Sequence, residues 1–107
     1  MAETTGALTE AVYYILLALF EPMHGYGIMQ RVQALSNGRV TLGAGTLYGA
    51  LSTLLEKGWI APTGSGTGDR RKEYTITLQG KEAAQAEIRR LEELLQNGRS
   101  ITGGALQ

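Results

Sequence analysis

The chain has 107 residues with ten Lys and Arg, ten Asp and Glu, one His and no Cys, and its formal net charge is zero. That length fits one domain, and the lack of cysteine excludes a disulfide framework, a thiolate nucleophile and a thiolate metal site. The longest apolar run, Ala11 to Phe20, falls well short of the roughly 20 residues of a membrane span and has no Lys or Arg before it, so a soluble, cytosolic protein with no membrane partner is expected.

The first predicted element is a helix over Leu8 to Phe20. Leu8, Val12, Ile15, Leu16 and Leu19 share one stripe, while Tyr13, Tyr14, Leu17 and Ala18 make most of the other face apolar as well, so this helix should be covered on more than one side. Pro22 disfavours helix at Glu21 and stops it. His24-Gly25-Tyr26-Gly27 then turns the chain into a second helix over Tyr26 to Leu35, with Ile28, Val32 and Leu35 inward and Asn37-Gly38 as its stop. His24 is the sole histidine and reads as a capping or packing residue.

A third helix begins near Ala44, carries Leu47, Leu51, Leu54 and Leu55 on one stripe, and ends at Gly58, where a left-handed residue is expected. Trp59 to Thr63 reads as an edge strand because of Pro62, and Tyr74, Ile76 and Leu78 alternate as the inward face of a returning strand. The glycine-rich segment 64–69 forms the tip between them, followed at once by Arg70, Arg71 and Lys72. Thr77 is a candidate N-cap for a last helix that runs to Leu95, stops at Asn97-Gly98, and shows Ala84, Ile88, Leu91 and Leu95 in the seam of a helix that packs on another helix. The expected fold is mostly α with a small β-hairpin: a winged helix-turn-helix domain over residues 1–78, a C-terminal dimerisation helix over 79–97 and a flexible tail over 98–107.

The neutral total hides a division along the chain. Residues 1–30 carry Glu3, Glu10 and Glu21 and no base, whereas residues 31–72 carry Arg31, Arg39, Lys57, Arg70, Arg71 and Lys72 against only Glu56 and Asp69. A local positive field can draw a polyanion, although the same residues also make an ordinary solvated surface. The group Arg70, Arg71 and Lys72 beside a glycine-rich tip suits phosphate contact. On the third helix Thr46, Tyr48 and Ser52 offer hydrogen-bonding groups, while Gly43, Gly45 and Gly49 hold nothing that would keep a ligand away. Glycine inside a helix costs roughly 0.5 to 1 kcal/mol relative to alanine, so Gly49 implies close approach of DNA or of another part of the protein. No nucleophile-base pair, metal cluster or phosphate-binding loop can be assembled, so neither an enzyme nor a cofactor is expected. Tyr13, Tyr14 and Phe20 are read either as core and dimer contacts or as the lining of a small-molecule pocket.

Several motifs together resemble the PadR-type transcriptional regulators, in the short form with a single C-terminal helix. They are His24-Gly25-Tyr26-Gly27-Ile28, Gly45-Thr46-Leu47-Tyr48 with Gly58-Trp59-Ile60, and Arg70 through Thr77 with Gly80, and the resemblance spans about Leu8 to Leu95. It implies a homodimeric repressor that binds a palindromic operator in double-stranded DNA and is released by a small effector. Carried over by position, Tyr26, Thr46 and Tyr48 would touch DNA from the helices, and Arg70, Arg71 and Lys72 from the wing. Gly49 departs from the larger or basic residue of many relatives, and no aromatic follows Tyr74, so stacking of flat drugs on the last helix is not inherited. Dimerisation is assigned to Tyr14, Leu17 and Ala18 on the first helix with Ile88, Leu91 and Leu95 on the last. A winged-helix module that binds proteins rather than nucleic acid, and a sensor whose main output is ligand binding, are the alternatives.

Overall fold

The computed structural model describes residues 6–64 and 72–103. Four helices and three short strands follow in the order α1 (Glu10–Ala18), β1 (Met23–His24), α2 (Gly25–Leu35), α3 (Ala44–Lys57), β2 (Ile60–Pro62), β3 (Glu73–Ile76) and α4 (Leu78–Thr102). The strands form one antiparallel sheet in the order β1-β3-β2, with Met23 opposite Tyr74 and Ile60 opposite Ile76. This is the α+β winged helix that the element order implied, with one strand more than the expected hairpin.

Local signals set most of the boundaries. Thr9 caps α1 by accepting from the Val12 N–H, His24 Nδ1 caps α2 by accepting from Gly27, and Thr77 caps α4 by accepting from Gly80. Asn37 and Gly38 both take positive φ just after α2, and Gly58 takes the left-handed conformation at the end of α3. Thr77 has a second task, because its hydroxyl donates to the Gly58 carbonyl at 2.6 Å and so fastens the start of α4 to the end of α3. Gly80 completes that joint: a Cβ there would collide with the Trp59 carbonyl oxygen.

The core gathers Ile15, Leu16 and Ala18 of α1 with Leu19 at its C-cap, Ile28 and Val32 of α2, Leu47, Leu51 and Leu54 of α3, and Ile60, Tyr74 and Ile76 of the sheet. The Leu19 carbonyl at the end of α1 accepts from the Ile76 N–H at 2.9 Å, which ties helix to sheet.

Five sequence expectations are corrected here. The first helix ends at Ala18, ahead of the Phe20 boundary, because Pro22 and the pairing of Met23 with β3 draw the chain into extended form. Leu35 and Leu55 are exposed; Ser36 is buried beside Leu35, its hydroxyl accepting from the Val40 N–H at 2.9 Å. Leu78 is not an inward strand residue but the exposed first residue of α4, since Thr77 has already turned the chain. Ala18, expected on a dimer surface, is fully buried in the chain's own core. Finally, α4 continues through Asn97-Gly98 to Thr102, so residues 98–102 are helical, and the left-handed cap is Gly103.

Candidate nucleic-acid interface

The second and third helices are locked together at their N-terminal ends. Gly25 opens α2 against the ring of Tyr48 in the first turns of α3, and any Cβ at Gly25 would overlap the Tyr48 hydroxyl. That contact accounts for one glycine of the His24-Gly25-Tyr26-Gly27 motif, and Gly27, pressed against the Met23 side chain, accounts for the other. The result places Tyr26 and Tyr48, both exposed, on neighbouring helix starts. Gln30 Nε2 donates weakly to the Tyr26 hydroxyl at 3.4 Å, one helical turn on.

The outer face of α3 carries Thr46, Gly49, Ser52 and Thr53, all exposed. Among the described residues, apart from the helix's own backbone and the chain neighbours, nothing lies within 4 Å of a Cβ built at Gly43, Gly45 or Gly49. Close packing among the described residues therefore does not explain Gly43, Gly45 and Gly49. The N-terminus of α3 differs from those of the other three helices, because Gly43 provides no side-chain cap. Its first-turn N–H groups stay available to an outside acceptor.

The wing contributes Lys72, exposed at the start of β3. Arg70 and Arg71 lie outside the described residues. Elsewhere the charge division of the sequence folds onto itself: Glu10 pairs with Arg39 at 2.7 Å and Glu21 with Arg31 at 3.3 Å. Two of the six cations in the basic block are thus matched by the acidic N-terminal block. Lys57 and Lys81 rest over the rings of Trp59 and Phe20, at 4.9 and 5.6 Å from the centroids.

The residues assigned to dimerisation and to a pocket separate in an informative way. Tyr13 and Tyr14, at 5.8 Å between ring centroids, line a cleft of about 230 Å³ between α1 and α4, together with Leu8, Glu87, Arg90 and Leu91. Phe20 does not line it; its ring is exposed under Lys81. Tyr14 also packs against the core, Leu17 is half-buried, and Ile88 is half-buried where α4 leaves the body. Leu91, Leu94, Leu95 and Ile101 are exposed, as is every residue from Leu91 to Gly103.

Sequence reasoning did not single out Glu87. It is 5 % exposed, and its carboxylate accepts from Arg90 Nε at 2.9 Å and from the Leu8 N–H at 3.2 Å. The hydrogen bonds from Arg90 hold its carboxyl below the ordinary value of 4.5, against a smaller upward push from burial, with the Leu8 N–H adding to the lowering. A Glu three residues before an Arg on a helix normally signals a solvated pair. Only the start of α1, arriving from 79 residues away, makes this one a buried joint.

Among the described residues no group of His, Cys, Asp and Glu could hold a metal, and no helix is long and apolar enough to cross a membrane.

Residues 14–86 match the model of the transcriptional regulator PadR-like family. No curated protein matches the chain. Among solved structures, a PadR-like transcription factor from Bacteroides fragilis is similar at 26 % identity and a TM-score of 0.67, over 85 % of this chain and 87 % of that one. RosR of H. salinarum is similar at 26 % identity and a TM-score of 0.63, over 84 % and 76 % of the two chains. A transcriptional regulator from Clostridium thermocellum shares the fold at 18 % identity, with a TM-score of 0.67 over 91 % and 92 %.

Proposed function

The chain belongs to the PadR-like family of transcriptional regulators, which are not enzymes, and from that premise we propose that it is a cytoplasmic, homodimeric repressor that binds a palindromic operator and is released by a small effector. The observation that carries DNA binding is the outer face of α3. It presents Thr46, Tyr48 and Ser52 around glycines over which no described residue packs. A helix so bared can come close to base edges in a major groove, where hydroxyls and methyl groups read acceptors and the thymine methyl. Tyr26, beside Tyr48, and the wing cations Arg70, Arg71 and Lys72 would hold the backbone phosphates on either side.

The distal half of α4 supports the dimer. Helices in proteins owe most of their stability to packing of an apolar face, and among the described residues none from Leu91 to Thr102 is buried. A second copy that covers Leu91 and Leu95, with Ile88, Leu17 and Tyr14 at the margin, would supply the missing burial. It would also place two α3 helices about one DNA turn, ~34 Å, apart. The cleft at Tyr13 and Tyr14 borders this surface, so an effector bound there would touch the helix that sets the spacing.

The test is a salt series. Replacing Arg70, Arg71 and Lys72 with alanine should weaken specific and random duplexes alike and flatten the salt slope by up to about 0.9 per lost phosphate contact. Thr46→Ala and Ser52→Ala should instead relax preference at particular base pairs by about 1 to 3 kcal/mol each. Binding that ignores both salt and these replacements would refute the reading, as would a monomer mass in sedimentation at low micromolar concentration for its dimeric part.

A further inference from the structure

Both asparagines of the chain stand in the same tripeptide, Asn37-Gly38-Arg39 and Asn97-Gly98-Arg99, and all six residues are exposed. Their pattern marks both as helix stops, yet only the first follows a helix end, and the second lies inside α4. Asn-Gly is prone to modify itself, because a glycine nitrogen with no Cβ beside it can come close to the asparagine side chain. Identical neighbours give the two sites the same inherent chemistry, so a difference in rate comes from the fold.

In that chemistry the glycine backbone nitrogen attacks the asparagine Cγ. The N–Cγ bond forms, the Cγ–Nδ2 bond breaks, and the side-chain nitrogen leaves as ammonia, carrying the proton that the backbone nitrogen gave up. Water then opens the resulting cyclic imide at either carbonyl, leaving aspartate or isoaspartate. No electrons change hands, and water is the co-reactant. Ring closure requires the glycine N–H to leave its hydrogen bond and the asparagine backbone to leave its folded conformation, so the rate follows the fraction of time spent locally open.

At Asn37 opening is resisted on both flanks. Asn37 and Gly38 take φ of 57° and 80°, the Gly38 N–H donates to the Gln33 carbonyl at 2.8 Å, and the Arg39 N–H donates to the Ser36 carbonyl at 3.0 Å. Ser36 is buried and its hydroxyl accepts from the Val40 N–H, while the Arg39 side chain pairs with Glu10 at the start of α1. Asn97 has only its helix. There the helical pattern directs the Gly98 N–H to the Leu94 carbonyl, no residue from Leu91 to Gly103 is buried, and α4 ends close by at Thr102. A helix end that buries nothing frays at little cost, and a glycine within it weakens it further.

We propose that Asn97 is a self-modification site, a one-way clock on the distal half of α4, and that Asn37 is its protected counterpart. The product acts on the helix that carries it. A carboxylate at position 97 stands one turn after Glu93 and near the negative end of the helix dipole, and both oppose it. Isoaspartate in addition lengthens the main chain by a methylene and interrupts the ladder of helical hydrogen bonds. The site itself needs only the fraying helix, whereas any effect on assembly rests on the dimer proposed above.

The test incubates the full chain, dilute and in mildly alkaline buffer, and samples it over time. Trypsin then releases the two sites in separate peptides, 32–39 and 91–99, in which aspartate and isoaspartate are read by mass and by enzymatic methylation of isoaspartate. Asn97 should convert at least about tenfold faster than Asn37, and within about tenfold of a free peptide of residues 91–99. Gly98→Ala, whose Cβ meets no described residue, should slow Asn97 at least about tenfold by shielding the nitrogen and firming the helix. Aged protein should lose helical circular dichroism, and Asn97→Gln, aged alongside, should keep it. Equal rates at the two sites, faster conversion at Asn37, or a loss of helix matched by Asn97→Gln would each overturn the proposal. If Asn97 outpaces Asn37 at a rate that does not fall as protein concentration rises, the clock stands and the dimer is called into question, so the two failures are told apart.

Discussion

The two halves of α4 are one unbroken helix in two different environments. From Leu78 to Arg90 it lies on the body, burying Gly80, Ala84 and Glu87 and holding the start of α1 through Glu87. From Leu91 to Thr102 its leucines continue at helical spacing, yet no residue is buried. The comparison shows that apolar periodicity specifies a face and leaves open what covers it. In the first half the winged domain covers that face, with small residues allowing close contact. In the second half the described residues leave that face exposed.

Paired leucine truncations break this comparison most directly. Leu51 is 1 % exposed and Leu95 is 53 % exposed. Leu51→Ala should lower the unfolding free energy by about 2 to 5 kcal/mol at any protein concentration. Leu95→Ala should cost less than ~0.5 kcal/mol where the protein is monomeric. Above the concentration at which the proposed dimer forms, its effect should grow and the melting temperature should become concentration-dependent. Denaturant melts at two concentrations tenfold apart separate these cases.

The joint between the halves is next in size. Glu87→Gln keeps the shape but gives up the charge-assisted bonds to Arg90, and a loss of about 1 to 3 kcal/mol is expected, with amide exchange at Leu8 rising more than at Leu51. Equal loss of protection at both sites would mean that Glu87 supports the fold as a whole and is no local joint. Acid reaches the same contact by another route. Because the folded state depresses the Glu87 pKa, its contribution to stability is full above the ordinary value of 4.5 and fades as pH falls through the lower folded value. Melts at falling pH, compared with Glu87→Gln, should therefore draw together as the folded-state carboxylate takes up its proton.

The smallest effect concerns the contrast between the outer face of α3 and the body. With open space at Gly49, Gly49→Ala should stabilise the fold by about 0.5 to 1 kcal/mol. If this face approaches DNA, the same change should weaken operator binding while thermal stability rises. Stability and affinity that rise together would take Gly49 out of the interface.

The residues that were legible in the sequence act over a few neighbours. Thr77 and Gly58 announced a helix start and a helix stop because the hydrogen bonds of a cap and the φ of a left-handed turn are local matters. His24 was legible as a capping residue for the same reason. Leu47, Leu51 and Leu54 were legible as core because one helical stripe faces one way. The strand Met23–His24 was not, since two residues carry no period and only pairing with Tyr74 and Glu73 makes them a strand. Nor was the burial of Ala18, in a helix whose apolar residues point in nearly every direction.

The sequence by itself determined the order of helices and wing, the caps that separate them, and the family to which the chain belongs, since these follow from motifs whose physics is contained within a few residues. Tertiary structure alone decided that Glu10 and Glu21 pair with Arg39 and Arg31, that Glu87 becomes a buried joint with Leu8, and that Trp59 meets Leu8 and Ala50 at one cleft. Each of these joins residues far apart in the chain. Charge, burial and empty space at such places depend on which surfaces meet, and a local pattern holds no record of that meeting.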